Sequence, residues 1–343
     1  MNLFTKGSQY LLLSLLLVLT VSLKELSAQQ PFQKHSSGTL SIDSIYLADP
    51  TIFYSNGIYY LYGTGGRDGF LVYTSSDRKS WKGPAGAKDG YALLKGDAFG
   101  TSGFWAPQVF EKAGTFYMAY TANENIALAK SNSPLGPFRQ DSIRPISGTG
   151  KQIDPFVFID DDGTKYLYHV RLREGNRIYV AKMKDDFSDI QPETLKECIS
   201  ATAPWENTDS ARWPVTEGPT VLKHKNRYYL FYSANDFRNI HYAVGYAVAT
   251  TPYGPWKKYS GNPIISRNNI GHNGTGHGDF IKDKKGDLYY VFHTHRSTEV
   301  VLPRLTAIVK AKFIKDDSGI DRMEIVPGSF HYLSLSHMAK EQW

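Results

Sequence analysis

The sequence is poor in the features that mark most functional classes. It has one cysteine in 343 residues, Cys198, so no disulfide can form within the chain. No long segment keeps the apolar period of an amphipathic helix, which excludes a helical bundle. The net charge is +6, yet the basic residues form no run; the densest pairs, Lys257-Lys258 and Lys284-Lys285, lie near acids. A solvated basic surface accounts for that charge, and a nucleic-acid partner is not expected. Gly63-Thr64-Gly65-Gly66 lacks the lysine and the helix of a phosphate loop. The apolar stretch from Tyr10 to Leu23 is shorter than the roughly 20 residues that span a bilayer. With Lys6 before it and Leu26-Ser27-Ala28 after it, it reads as a secretory signal peptide over residues 1–28. Cleavage near Ala28 would leave residues 29–343 as an exported chain, periplasmic or secreted. That chain would have no membrane contact and no lipoprotein cysteine at the cut.

What is abundant is aromatic and turn-forming: 23 Tyr, 18 Phe and 30 Gly. This composition, without helical periodicity, indicates an all-β chain. Its pattern is clearest in Ile153-Asp154-Pro155-Phe156-Val157-Phe158-Ile159-Asp160-Asp161-Asp162-Gly163-Thr164-Lys165-Tyr166-Leu167-Tyr168. An acid stands against a proline, Asp162-Gly163 signals a hairpin, and alternating aromatics follow. The residue before proline is pushed out of the helical region, so Asp154 is expected to be extended.

Four further copies of this unit are legible. They open at Ala48-Asp49-Pro50, Trp105-Ala106-Pro107, Glu217-Gly218-Pro219 and Gly276-His277-Gly278-Asp279. Each continues through a turn into an aromatic run, such as Tyr59-Tyr60-Leu61-Tyr62 or Tyr228-Tyr229-Leu230-Phe231-Tyr232. A third strand follows each pair. Pro134-Leu135-Gly136-Pro137-Phe138 and Pro252-Tyr253-Gly254-Pro255-Trp256 are near copies leading to an outer strand. Four-stranded units at this spacing predict a single five-bladed β-propeller around a central funnel. Two stretches fall outside the repeat, from Gln191 to Trp213 and from Ser260 to Thr275.

In a propeller the innermost strands line the funnel, so their mouths converge. Here those mouths carry Asp49, Trp105, Asp154, Glu217 and His277. Asp-Pro and Glu-Gly-Pro are good turn sequences, and one such motif would be explained that way. Three acids at equivalent places in a repeat would raise one another's pKa, an arrangement that hydrolysis of a glycosidic bond uses.

These motifs, in order from Tyr46 to Ile325, resemble glycoside hydrolase family 43, the five-bladed inverting glycosidases. The resemblance implies Asp49 as general base, Glu217 as general acid, and Asp154 as the neighbour that orients the acid and raises its pKa. It also implies Arg296 near the sugar. His277 matches a position that in some relatives contacts calcium or a water in the central channel. No cofactor is otherwise expected, and calcium near His277 is the one metal to test. Trp105, Phe104 and Trp213 are candidate walls for stacking a sugar.

The expected activity is therefore inverting hydrolysis of pentose-containing plant cell-wall poly- or oligosaccharides, with α-L-arabinofuranosidase first. β-Xylosidase, endo-arabinanase and galactosidase of the same family remain alternatives, as does an inactive sugar-binding propeller. A fructan hydrolase is disfavoured, because Ile153 and Gly218 stand where it has arginine and cysteine. Ser76-Asp77-Arg78-Lys79-Ser80-Trp81 resembles the Asp-box turn of sialidases, but a single copy is read as structural. His293-Thr294-His295 places two imidazoles on one strand face without a clear third ligand for zinc. Asp160-Asp161-Asp162-Gly163 lacks the rest of a calcium loop.

Overall fold

The aromatic runs explain the architecture. Successive residues of a strand point to opposite faces, so a run such as Tyr59-Tyr60-Leu61-Tyr62 serves two interfaces at once. Tyr60 and Tyr62 join Phe70, Phe104, Met118 and Tyr120 on one side. Tyr59 and Leu61 join Val291, Ile308 and Leu333 on the other. The same division recurs at Tyr166 and Tyr168, which pack with Leu230 and Tyr232, while the intervening Leu167 packs with Ala119 and Phe187. Tyr229 and Phe231 face the opposite way from Leu230, onto Leu288 and Met323. Each sheet is apolar on both faces, and the core is the set of seams between sheets.

The computed structural model describes residues 43–316 and 319–336; the expected signal peptide lies outside them. The five expected blades are present, arranged in a ring. Their innermost strands are Ala48–Ser55, Trp105–Lys112, Gln152–Ile159, Thr216–His224 and Gly276–Lys282. Each pairs antiparallel with a second strand, in order Ile58–Thr64, Thr115–Ala122, Lys165–Leu172, Arg227–Ala234 and Leu288–Thr294. Blades 3 and 4 have the expected four strands, and blade 5 has four in sequence plus the pairing of His331–Tyr332. In blade 2 the outer strand is reduced to a bridge between Lys130 and Arg139. In blade 1 the third strand is interrupted at Val72, and Thr74 meets Lys82 by a single bridge. Among the described residues no helix is long and apolar enough to cross a membrane.

The turns behave as their residues require. Gly163, at φ 85°, completes the hairpin after Asp162, whose carboxylate accepts the Thr164 N–H. Asp77 accepts the N–H groups of Lys79 and Ser80 over the buried Trp81, so this turn is structural. The ring closes where the two ends of the described chain meet. Ser334–Leu335 pairs in parallel with Ser80–Trp81, and Leu333 accepts from the Ile45 N–H while donating to Thr306 O.

Leu333 is fully buried in the seam between blades 5 and 1. Leu333→Ala is expected to lower unfolding stability by about 2–5 kcal/mol, read from denaturant titration. A loss within error would mean that this closure contributes little.

Candidate active site

All five inner strands share one irregularity. The ladder skips two residues between Ala48 and Thr51, Trp105 and Gln108, Ile153 and Phe156, Glu217 and Thr220, and Gly276 and Asp279. The skipped pairs are Asp49-Pro50, Ala106-Pro107, Asp154-Pro155, Gly218-Pro219 and His277-Gly278. Proline has no N–H to give to the ladder and is tolerated in a sheet at a bulge. The first residue of each pair is left-handed, with φ of 48°, 46°, 55°, 58° and 42° in chain order. Asp154 is therefore not extended, as the proline rule suggested. The bulge turns it the other way, a conformation that costs on the order of 1–3 kcal/mol in a non-glycine residue.

This register corrects the alignment of the mouths. Asp49, Asp154 and His277 occupy equivalent bulge positions, together with Ala106 and Gly218. Glu217 and Trp105 stand one residue earlier. Glycine at 218 is required by space, because a Cβ there would lie 2.7 Å from the His277 ring.

The bulge residues cannot use their N–H groups in the ladder, and buried N–H groups need acceptors. Asp49 N–H donates to His293 Nδ1 at 3.1 Å, and Ala106 N–H to Thr64 Oγ1 at 2.9 Å. Asp154 N–H donates to Thr121 Oγ1 at 2.9 Å, and His277 N–H to Ser233 Oγ at 2.7 Å. Gly218 N–H donates to the Asp154 carboxylate, at 3.2 Å. Each acceptor belongs to the preceding blade, and these bonds link the blades around the axis.

The three acids have different surroundings. Asp49 is buried and receives the Thr64 hydroxyl at 2.7 Å and Arg304 Nη1 at 3.0 Å. Nδ1 of His277 lies 3.3 Å from its Oδ1. Burial pushes the Asp49 carboxyl up, but Arg304, the two histidines and Thr64 outweigh it and hold it well below the usual range. Glu217 is half-buried. It accepts from the Tyr242 hydroxyl at 2.8 Å and from Asn176 Nδ2 at 3.0 Å. Burial, with repulsion from Asp49, pushes Glu217 up to about 7 against those two donors. Asp154 is raised well above the ordinary carboxylate range by burial and by repulsion from Glu217 and then Asp49. His277 Nδ1 lies 3.8 Å from Asp154, and burial pulls that imidazole down, toward its neutral form. One acid is thus held ionised, and the other two retain protons to higher pH, the separation that acid–base chemistry needs.

The remaining expected residues divide. Trp105 is 38% exposed and Trp213 49% exposed. Trp213 donates its indole N–H to Asn176 Oδ1 at 2.9 Å, and Asn176 in turn holds Glu217. Phe104 is 3% exposed and stacks on Tyr120 in the seam between blades 1 and 2. It is core, not a sugar wall, because the strand begins only at Trp105. Arg296 lies exposed on a loop, and the arginine that reaches the acids is Arg304, seated over the Phe237 ring at 4.5 Å. The chain turns back through the bonds from Arg296 N–H to Val301 O and Ser297 N–H to Val300 O before Arg304 faces Asp49. His293 and His295 both point inward; the second meets Phe237 O at 2.8 Å. Asn176 and Tyr242 carry no motif, and their roles arise only from how blades 3 and 4 meet.

Calcium takes six to eight oxygen donors. His277 offers nitrogen, and its Nδ1 already faces two carboxylates. The nearby Asp279 carboxylate is taken by the Thr51 and Thr220 hydroxyls and the Phe280 N–H. Among the described residues no group of three or more His, Cys, Asp or Glu side chains is placed to hold a metal ion. The side chains near His277 do not supply the oxygen set of a calcium site.

A family model described as "Glycosyl hydrolases family 43" matches residues 42–318. Among solved structures, an endo-1,4-β-xylanase from Bacteroides thetaiotaomicron VPI-5482 superposes with a TM-score of 0.78. It is 43% identical and covers 86% of this chain and 98% of its own. Xylosidase/arabinosidase 43A of Humicola insolens is 29% identical over 265 residues, 63% of this chain and 79% of that protein. An extracellular exo-α-(1→5)-L-arabinofuranosidase, ArbA, of Cellvibrio japonicus is 24% identical over 291 residues, 75% of this chain and 81% of that protein. Two other curated relatives are longer, and the chain spans 56% and 40% of them.

Arg304 is the first of the groups that lower Asp49. Arg304→Gln is expected to bring the Asp49 carboxyl back up by a unit or more toward its ordinary value of about 3.9. Carboxyl ¹³C titration of aspartate-labelled protein reads this; an unmoved Asp49 would assign the effect to Thr64 and the histidines.

Proposed function

Because the chain belongs to glycosyl hydrolase family 43, a family whose relatives here act on xylan- and arabinan-type substrates, we propose that Asp49, Asp154 and Glu217 carry out a single-displacement hydrolysis. The observation that supports this division of labour is the opposite treatment of two acids in one funnel. Asp49 is held ionised by Arg304 and Thr64, while Glu217 is pushed up to about 7 by burial.

In the reaction Asp49 takes a proton from water as the water oxygen bonds to the anomeric carbon. The glycosidic C–O bond breaks on the opposite side, and Glu217 delivers its proton to the departing oxygen. Asp154 accepts the Gly218 N–H and so holds the backbone beside Glu217, orienting the acid toward the departing oxygen. Asn176 and Tyr242 aim the Glu217 carboxyl, one at each oxygen. Trp105 and Trp213 offer open aromatic faces at the rim. No metal enters these steps, and exhaustive chelation is expected to leave the rate unchanged.

For the substrate we take α-L-arabinofuranosyl units first, supported by the names of the Humicola and Cellvibrio relatives. A xylan-directed activity is the second reading, favoured by the 43% identity to a structure titled endo-1,4-β-xylanase. Export belongs to the same proposal, resting on the apolar run from Tyr10 to Leu23 and on the extracellular relative. Release of nitrophenol from the aryl α-L-arabinofuranoside rather than the β-D-xyloside supports the first reading. Chain-shortening of xylan without either release supports the second.

Glu217 must be protonated and Asp49 ionised, so kcat/KM should hold below neutrality and fall as pH rises through about 7. The acid limb should lie well below that of an ordinary aspartate, because the Asp49 carboxyl is lowered. Glu217→Ala should cost about 10²–10⁴-fold on natural glycosides and much less on aryl glycosides that leave without protonation. Asp49→Ala should be severe on both, since either leaving group needs activated water. Proton NMR should show the first-formed sugar inverted; retention would require Asp49 to be a nucleophile and would end this assignment.

A further inference from the structure

The bonds that tie each bulge to the preceding blade follow one rule with one exception. The residue that meets the next blade sits on the second strand, paired with the residue just before the bulge. These residues are Thr64, Thr121, Val170, Ser233 and His293, opposite Ala48, Trp105, Ile153, Glu217 and Gly276. Strand alternation aims each of them at the following blade. Four carry an acceptor and take the next bulge N–H, from Ala106, Asp154, His277 and Asp49. Val170 carries none. It is fully buried and packs with Tyr168, Ile178 and Tyr232 in the seam between blades 3 and 4. The Gly218 N–H, which by the rule belongs to it, donates to Asp154 Oδ2.

We propose that Val170 is a positioning residue for the reaction: by withholding an acceptor at this one step of the ring, it delivers the Gly218 N–H to Asp154 and ties that acid to the residue adjoining Glu217. A buried N–H takes whatever acceptor its surroundings offer. A hydroxyl at 170 would occupy the place that Thr64, Thr121 and Ser233 hold in their blades and would claim the N–H. Asp154 would then lose both its anchor and the donor that favours its ionised form.

The other groups around the two acids stay in place when Val170 changes. Asp154 faces Glu217, Asp49, the His277 ring and, farther off, Arg304. Glu217 faces Tyr242, Asn176, Asp49, Asp236 and Arg238. The Gly218 N–H is the variable, and the substitution acts through it.

The inference rests on the proposed roles of Asp154 and Glu217, and its test separates the two. Val170→Thr is nearly isosteric, Val170→Ser is smaller, and Val170→Ala is an apolar control that lacks an acceptor. In the hydroxyl variants the Asp154 carboxyl, followed by ¹³C titration, should move up by about one unit relative to Val170→Ala. In the same variants kcat should fall about tenfold while KM changes little, as expected when a transition-state interaction alone is lost. Val170→Ala should melt lower than the parent but keep its Asp154 titration and its kcat. If Val170→Thr does not fold, Val170→Ser against Val170→Ala makes the same comparison at similar volume. Hydroxyl variants that titrate like the alanine variant would overturn the proposal. A parent enzyme that cleaves no glycoside would instead sink the proposed function, and the carboxyl titrations would still decide the role of Val170.

Discussion

A backbone N–H taken out of a sheet and buried must find another acceptor, and that requirement organises the centre of this propeller. At the mouth of every inner strand the chain bulges by two residues and turns left-handed. A proline, which has no N–H to pair, follows in four blades, and Gly278 follows in the fifth, where a Cβ would lie 1.9 Å from Val291 O. The freed N–H groups then reach across to the preceding blade. The same geometry that joins the blades therefore also presents Asp49, Asp154 and His277 toward one point. Assembly of the ring and assembly of the site follow from a single local device, repeated five times.

The device fixes position but leaves ionisation to the neighbours. Asp49 and Asp154 share backbone conformation and near-complete burial, and yet they sit on opposite sides of the usual carboxylate range. The difference lies in Arg304 and Thr64 around one, and in two carboxylates facing the other. Glu217, one residue out of register with them, reaches its own partners, Tyr242 and Asn176. Its displacement from the bulge sets it apart from the pair and leaves it half-open to the funnel.

How far the sequence could be read depended on whether a feature is local. The hairpin at Asp162-Gly163 and the two-sided aromatic runs follow from turn chemistry and strand alternation, and both stood in the chain as written. Asp49, Asp154 and Glu217 were visible because each lies within two residues of a proline at the mouth of a repeat. Arg304 was not, because ten residues separate it from the Phe292-His293 motif and the loop turns back on itself. The resemblance named Arg296 instead, which lies exposed on that loop. Phe104 next to Trp105 shows the same limit: one residue decides between a buried seam and an open rim, and only the start of the strand tells which.

By itself, then, the sequence determined the class of fold, the number of blades and the identity of the converging acids. These rest on periods of two within strands and a longer period between units, both of which survive in one dimension. The left-handed turn at Asp154, the register offset of Glu217 and the relay from Trp213 through Asn176 were decided in three dimensions. So was the place of Val170, since an ordinary buried valine becomes distinctive only when its four counterparts are seen to accept an N–H from the next blade. Such roles depend on which donor a neighbouring blade brings within about 3 Å, and a linear chain carries no record of that until the ring has closed.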